Sequence, residues 1–461
     1  MNDVQDALMI GVSGMRGTVG GTLDPATISR MAAAFAVWMK RQVDGPAVCI
    51  LGRDSRPSGQ FVRDITAGTL SASGIQVIDL GIVTTPGVAL MVKRLAEEEN
   101  VAGGMIVTAS HNPIQWNGLK TLTKDAVALP PAAAAELREL YDANATDFVR
   151  VEHVTAPQSD TTTHAAHIKA VTDYVDMLGV QTKRLKVVVD SVNGAGCVTV
   201  ATMLGKLGCE VVHLNNTPDG QFPHEPEPTE ANLGDLCAAV KKHRAAVGFA
   251  QDPDADRLAI VDETGRYIGE EYSLVLAAMH VMRKKPGSVA VTNLSTSRMI
   301  DDVAAKFDGR VIRTPVGEAN VIDAMLEHDA RIGGEGNGGV IDPRIVPGRD
   351  SLVGIAYTLQ LMADTSKSIS QLVADIPSYA IVKDKLPLAR KSDAGPLIDQ
   401  LAAHFDNENI NTEDGLRVDW PDGWVSVRAS NTEPILRIIA EAPTDEAARA
   451  RIAECRKAAG L

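Results

Sequence analysis

Along this chain, short apolar runs repeatedly break into loops of small polar residues and then resume with helical spacing. The beat is clearest in AVCILGRDSRPSG from Ala47, KVVVDSVNGAG from Lys186 and SVAVTNLSTS from Ser288. A short β-branched run bounded by turn residues predicts a buried strand, and strands alternating with helical stretches predict parallel α/β sheets. The starts lie 139 and 102 residues apart, too uneven for a solenoid but natural for three related units with different insertions. Ligands bind such sheets at the carboxyl ends of the strands, where these polar loops fall.

Beyond residue 370 the pattern changes to a helix, DAGPLIDQLAAHF, three strands, GLRVDW, GWVSVRAS and ILRIIAEA, and a closing helix. That order predicts a small α+β unit. The polar stretches TAPQSDTTTH (155–164) and ADTSKSIS (363–370) read as linkers, and a further division falls near Gly265, after LAIVD. The expected units are therefore an α/β unit over 1–158, a second over 159–264, a third over 265–366 and the α+β unit over 367–461.

Composition narrows the function classes. At 461 residues and 45% hydrophobic content, the chain is long enough for two to four packed cores, and 4% aromatic residues suit alternating strands and helices better than a β-sandwich. The five cysteines (49, 197, 209, 237, 455) form no C-x-x-C pair and read as buried thiols of a reducing compartment. MNDVQDALMI lacks the basic region of a signal peptide, and the apolar MAAAFAVWM (31–39) is too short to span a bilayer, so a soluble, cytoplasmic protein is expected. The net charge of −14 argues against nucleic-acid or anionic-membrane partners. A phosphorylated ligand must then be held by local cations.

Four loops carry candidate chemistry. In GFAQDPDADRLAIVDETG, Asp252, Asp254 and Asp256 alternate within five residues, an arrangement too repulsive to stand without a cation. A calcium loop would place Glu263 at its twelfth position, but Arg257 occupies the sixth, where glycine is needed, and both flanks read as strands. Oxygen ligands beside an arginine suit Mg²⁺ shared with a phosphate. In VTASHNPIQWNGLK, Ser110 follows a buried strand; His111 is adjacent and expected to point elsewhere, and no G-x-S-x-G elbow occurs, which argues against a hydrolase triad. A phosphoryl group on Ser110 would carry about −1.5 to −2 charge and supply an oxygen that a three-aspartate site lacks. In VRASNTEP, Arg428, Ser430, Asn431 and Thr432 gather donors suited to a phosphate dianion. In GGEGNGG, glycines flank Glu335 and Asn337, a carboxylate and an amide fit for sugar hydroxyls. RTPVGE (313–318) belongs to the same group, whereas GVSGMRGTVGG (11–21) lacks the pattern of a nucleoside triphosphate loop. His164 and His167 read as surface or linker residues.

Taken in order, TASHNP, DPDADR, GEGNGG and RASNTEP resemble the motifs of the α-D-phosphohexomutase superfamily, and the resemblance spans the whole chain. It implies three related α/β domains with mixed sheets and a C-terminal α+β domain, heart-shaped around a central cleft lined by one loop from each. It further implies that Ser110 is a phosphoserine, that its phosphate binds Mg²⁺ with Asp252, Asp254 and Asp256, and that Arg428, Ser430, Asn431 and Thr432 grip the phosphate not being transferred. Thr314, Val316, Gly317, Glu335 and Asn337 are implied at the sugar, Arg257 at the transferring group, and Lys120, Arg16 and His111 around the reacting hydroxyl. The implied reaction interconverts hexose 6- and 1-phosphates through a hexose bisphosphate, with sugar phosphates as the only partners; a monomer or a homodimer would serve.

Many members of that family read GE-x-S-G-H in the sugar loop, where this chain has Asn337 and Gly339 in place of serine and histidine. The burden of proton transfer then shifts toward Lys120 and Arg16. For Lys120 to act as acid or base, nearby cations must lower its pKa. PVGE and GEGNGG look more like the phosphoglucosamine mutase and archaeal-type branches, which favours glucosamine phosphate over the mannose or glucose phosphates. A phosphoserine-dependent sugar phosphatase is the rival reading, disfavoured because it needs no RASNTEP loop to hold a second phosphate.

Overall fold

The three apolar runs singled out by their pattern form the strands Val48–Arg53, Lys186–Asp190 and Val289–Asn293 in the computed structural model, which describes residues 8–11, 14–430 and 434–460. Each is followed by a helix: Gly59–Ala72, Gly196–Lys206 and Met299–Lys306. Each also has two parallel neighbours. On one side lie Gln76–Ile82, Glu210–Leu214 and Arg310–Thr314. On the other lie Val101–Val107, Val247–Gln251 and Ile332–Glu335. The strands of this last set then reverse into antiparallel partners, Trp116–Thr123, Leu258–Asp262 and Gly339–Ile341.

The same four-strand plan thus occurs three times. In each copy the loop with candidate chemistry is the turn at the carboxyl end of an entirely buried strand. The sheets are mixed where the periodicity suggested parallel ones, because a short turn can join only antiparallel strands. Burial on both faces explains the unbroken apolar runs that announced them.

The linker reading of 155–164 needs correction. Gln158–Ser159 pairs with Ile78 and Asp79 as an edge strand of the first sheet, and the helix Thr163–Thr172 begins directly after. Of the two histidines in that helix, His164 is half-buried and His167 is not a surface residue. His167 is fully buried, its Nε2 donating to Asp350 Oδ2 at 2.6 Å and its Nδ1 lying 3.2 Å from Thr84 Oγ1. His164 Nδ1 lies 2.7 Å from Thr199 Oγ1.

The second and third sheets share one apolar core, containing Val187 and Phe249 from one and Ala290 and Ile332 from the other. It is bridged by the helices Glu271–Lys284 and Ser351–Thr365, the latter buried on all sides from Ser351 to Ala363, as a helix between two layers must be. The first sheet has separate cores on its two faces. The C-terminal sheet is antiparallel and closes its own core under Ala394–His404 and Asp445–Ala458. It includes the strand Ala380–Pro387, which its charge-rich sequence concealed. Among the described residues no helix is long and apolar enough to cross a membrane.

Candidate active site

Ser110 sits where the strand Val101–Val107 ends, almost completely buried, with φ at +52°. A non-glycine residue in that region is strained and persists only where its surroundings fix it. Arg56 supplies most of that fixing. Its guanidinium is fully buried and donates from Nε to Asp54 at 3.0 Å, from Nη1 to the carbonyls of Pro113 and Trp116 at 2.8 and 3.1 Å, and from Nη2 to those of Ser110 and Asn112 at 2.6 Å each. All five donors of the fork are used. Thr108 completes the frame, donating to Asp54 and accepting from the Ser110 amide. Arg56 was not singled out in the sequence; its signal was a pair of charged residues, Asp54 and Arg56, in a loop after a buried strand.

The Ser110 hydroxyl donates to Asp252 Oδ2 at 3.1 Å, and His111 Nδ1 lies 3.3 Å away, so His111 does not point elsewhere as its adjacency suggested. Burial, followed by Arg257 and Arg16, pushes His111 down to about 3, which leaves it neutral and a poor base near pH 7.

The loop 252–257 joins two buried strands, with Ala255 at φ +56° reversing the chain. Three successive carbonyls are taken by three different segments: Pro253 by the amide of Ala195, Asp254 by that of Thr85 and Ala255 by that of Ser351. So shaped, the loop presents carboxylate oxygens of Asp252, Asp254 and Asp256 within 4.8 Å of one another, all buried. Burial and the other two carboxylates hold Asp252 well above the usual range. Burial also raises Asp254 and Asp256, but Lys120 outweighs it for the first, and Arg349 with Lys120 for the second, so both lie low. Asp254 Oδ1 and Asp256 Oδ1 are buried without a hydrogen-bond partner. An oxygen-only cluster with two unsatisfied buried oxygens fits Mg²⁺.

Lys120 Nζ bridges Asp254 Oδ2 at 2.7 Å and Asp256 Oδ2 at 3.2 Å. Burial disfavours its charge, but the two carboxylates prevail and its pKa is raised, contrary to the lowering that acid–base duty was expected to require. Arg16 reaches Asn112 Oδ1 at 3.2 Å, and Arg257 lies 3.3 Å from Glu227 and 4.0 Å from Asp256. A further cation, Arg349, was missed. It donates to Asp256 Oδ2 at 2.8 Å and lies 3.5 Å from Glu335 Oε2 and 3.4 Å from Glu318 Oε2.

The RTPVGE, GEGNGG and RASNTEP loops join this cluster through intermediaries. Glu335 accepts from Asn293 at 2.9 Å and Asn337 Nδ2 at 3.4 Å. Gly317 has φ +136°, which favours glycine, and the Thr314 hydroxyl donates to the Pro315 carbonyl. Asp414 Oδ2 accepts both the Val316 amide at 2.9 Å and Arg428 Nη1 at 3.1 Å, so one carboxylate ties the two loops together. Ser430 is buried, its amide donating to the Ile435 carbonyl. Asn431 and Thr432 lie outside the described residues.

Known proteins resemble this chain along nearly its whole length. The phosphoglucomutase/phosphomannomutase profiles match in order: α/β/α domain I over 7–147, domain II over 165–265, domain III over 269–379 and the C-terminal domain over 382–458. A phosphoglucomutase/phosphomannomutase of Thermococcus kodakarensis is 36% identical over 452 residues, covering 96% of each chain. A probable phosphoglucosamine mutase of Methanopyrus kandleri is 35% identical over 444 residues, covering 95% of each. Among solved structures, a phosphoglucomutase/phosphomannomutase family protein of Burkholderia thailandensis superimposes with a TM-score of 0.85 at 29% identity, covering 98% of each chain.

Proposed function

The chain belongs to the phosphoglucomutase/phosphomannomutase family, and from that premise we propose that it interconverts glucosamine 6-phosphate and glucosamine 1-phosphate through a phosphorylated Ser110 and a hexose bisphosphate. The observation that carries this reading is the 3.1 Å contact of the Ser110 hydroxyl with Asp252, at the edge of three buried carboxylates.

A free hydroxyl of the sugar phosphate forms a bond to the phosphorus on Ser110 as the P–Oγ bond breaks; the electron pair stays on Oγ, which ends with the proton that the attacking hydroxyl gives up. The bisphosphate turns round, and Ser110 Oγ takes back the other phosphoryl group. Such transfers ask for in-line positioning and charge neutralisation more than for covalent chemistry. Mg²⁺ held by Asp252, Asp254 and Asp256 would supply Lewis-acid stabilisation to the transferring group. Arg56 holds Ser110 in its strained conformation, and Lys120 and Arg257 offer positive charge beside it. Lys120, bridging Asp254 and Asp256, acts as an electrostatic aid. Glu335 and Asn337 meet sugar hydroxyls, while Arg428 and Ser430, with Asn431 and Thr432, hold the phosphate at rest.

A second reading, phosphomannomutase or phosphoglucomutase, is favoured by the Thermococcus kodakarensis relative. The purified protein is incubated with glucosamine 6-phosphate, glucose 1-phosphate and mannose 1-phosphate, each with Mg²⁺ and a trace of the matching bisphosphate. Fastest isomerisation of glucosamine 6-phosphate supports the first reading, and faster turnover of either other sugar supports the second. Release of inorganic phosphate without isomerisation overturns both.

A further inference from the structure

The space that a side chain at position 339 would need is already filled by Arg349. A Cβ added to Gly339 would lie 2.3 Å from Cδ and 2.9 Å from Cγ of Arg349, mid-chain atoms that cannot swing aside without moving the guanidinium. That guanidinium touches Asp256 of the metal loop, Glu335 of the sugar loop and Glu318, whose other oxygen accepts the Arg349 amide at 2.8 Å. The side chain is only 11% exposed. Three carboxylates from three loops therefore converge on one buried cation, and without it they would repel one another. Asn293 fixes one oxygen of Glu335, and Arg349 faces the other.

We propose that Arg349 is a positioning residue that sets the sugar loop against the metal loop, and that Gly339 is required because any side chain there displaces it. The inference rests on the mutase reading and adds to it the element that fixes the hydroxyl-binding carboxylate relative to Ser110. A planar fork is suited to three carboxylates at once, and a lysine ammonium is not a substitute.

Two measurements test it. The thermal midpoint is compared for the parent, Gly339→Ala, Arg349→Ala and the double variant: Gly339→Ala lowers the midpoint of the parent but not of Arg349→Ala. Kinetics are then measured on hexose 1-phosphates and a panel of their monodeoxy analogues. Arg349→Ala and Glu335→Gln relax the rejection of the same analogue by about tenfold, their combination is no worse than either alone, and Arg349→Lys does not restore it. Additive midpoints, or relaxed rejection of different analogues, in an active parent would overturn the role of Arg349 alone. A parent that isomerises no hexose phosphate would remove the mutase reading and the positioning role with it.

Discussion

His167 Nε2 lies 2.6 Å from Asp350 Oδ2, with both side chains essentially out of solvent, although 183 residues separate them. Thr84, on the other ring nitrogen, caps the helix Thr85–Leu95, and Asp350 caps Ser351–Thr365. One imidazole thus links segments of the first three family domains beside the loop 252–257. His167→Ala is expected to lose about 1–3 kcal/mol of stability in chemical denaturation, because it leaves Asp350 Oδ2 and Thr84 Oγ1 buried without this partner. A loss under about 0.5 kcal/mol, the usual limit for surface positions, would return His167 to the surface role its sequence suggested.

Ser110→Ala removes the proposed acceptor of the phosphoryl group while leaving the Arg56 clamp, which grips only the backbone carbonyl of residue 110. Turnover should vanish with circular dichroism and thermal midpoint unchanged, and the variant should take up no phosphoryl group from labelled hexose bisphosphate. Normal turnover in this variant refutes the phosphoserine assignment.

Arg56 should separate stability from geometry. Arg56→Ala strands Asp54 as a buried, unpaired carboxylate and is expected to cost about 3–5 kcal/mol in urea unfolding. Arg56→Lys keeps a charge but at most three donors for five positions, so the protein folds while kcat falls by about a hundredfold through misplacement of Ser110. Wild-type kcat in the lysine variant would show that the strained loop holds itself.

Divalent metal binding to the aspartate trio should register as stability. At a Mg²⁺ concentration a hundredfold above its Kd the native state gains about 2.7 kcal/mol. A thermal scan with Mg²⁺ and with excess EDTA should therefore show a clear upward shift with metal, abolished in Asp254→Asn. Identical scans for the wild type would count against the metal assignment.

Glu271, whose carboxylate packs against Gly336, provides a pH test at a residue outside the Ser110 and aspartate cluster. It is buried, and burial pushes its carboxyl from 4.5 up to about 8, the amide of Ser297 only partly offsetting this. Between those values the folded state keeps a proton that the unfolded chain has released, so stability falls as pH rises from about 4.5 to about 8 and levels off above. Glu271→Gln should flatten that decline and be more stable than wild type at pH 8 by a few kcal/mol, at about 1.4 kcal/mol for each unit of pKa. Parallel stability profiles across that range would show that Glu271 ionises freely in the folded protein.

The residues to which the proposal gives the chemistry were legible, and those that hold them in place were not. Asp252, Asp254, Asp256 and Ser110 were visible because buried-strand patterns stop abruptly at them, and a turn at a strand end is where side chains reach a cleft. Arg349, His167 and Asp414 declare themselves through partners far away in the chain, which no local spacing encodes, and the local pair Asp54 and Arg56 does not reveal the four carbonyls that Arg56 grips. His167 was misread because helix Thr163–Thr172 begins in a polar run, and polarity of a segment says little about which face it buries. Strand Ala380–Pro387 was overlooked because its lysines and aspartate mask the alternation, although its register with Ile435–Ala442 is continuous.

The three carbonyls of Pro253, Asp254 and Ala255 answer to amides in three separate stretches of the chain. Ownership of the acidic turn is therefore collective. A fragment covering 165–265 would inherit every aspartate yet forfeit two of the three amides that give the turn its form. Grafting DPDADR onto a foreign scaffold would transplant acidity without architecture, and useful chimeras of this enzyme must exchange Thr85, Ala195 and Ser351 together with the motif they shape.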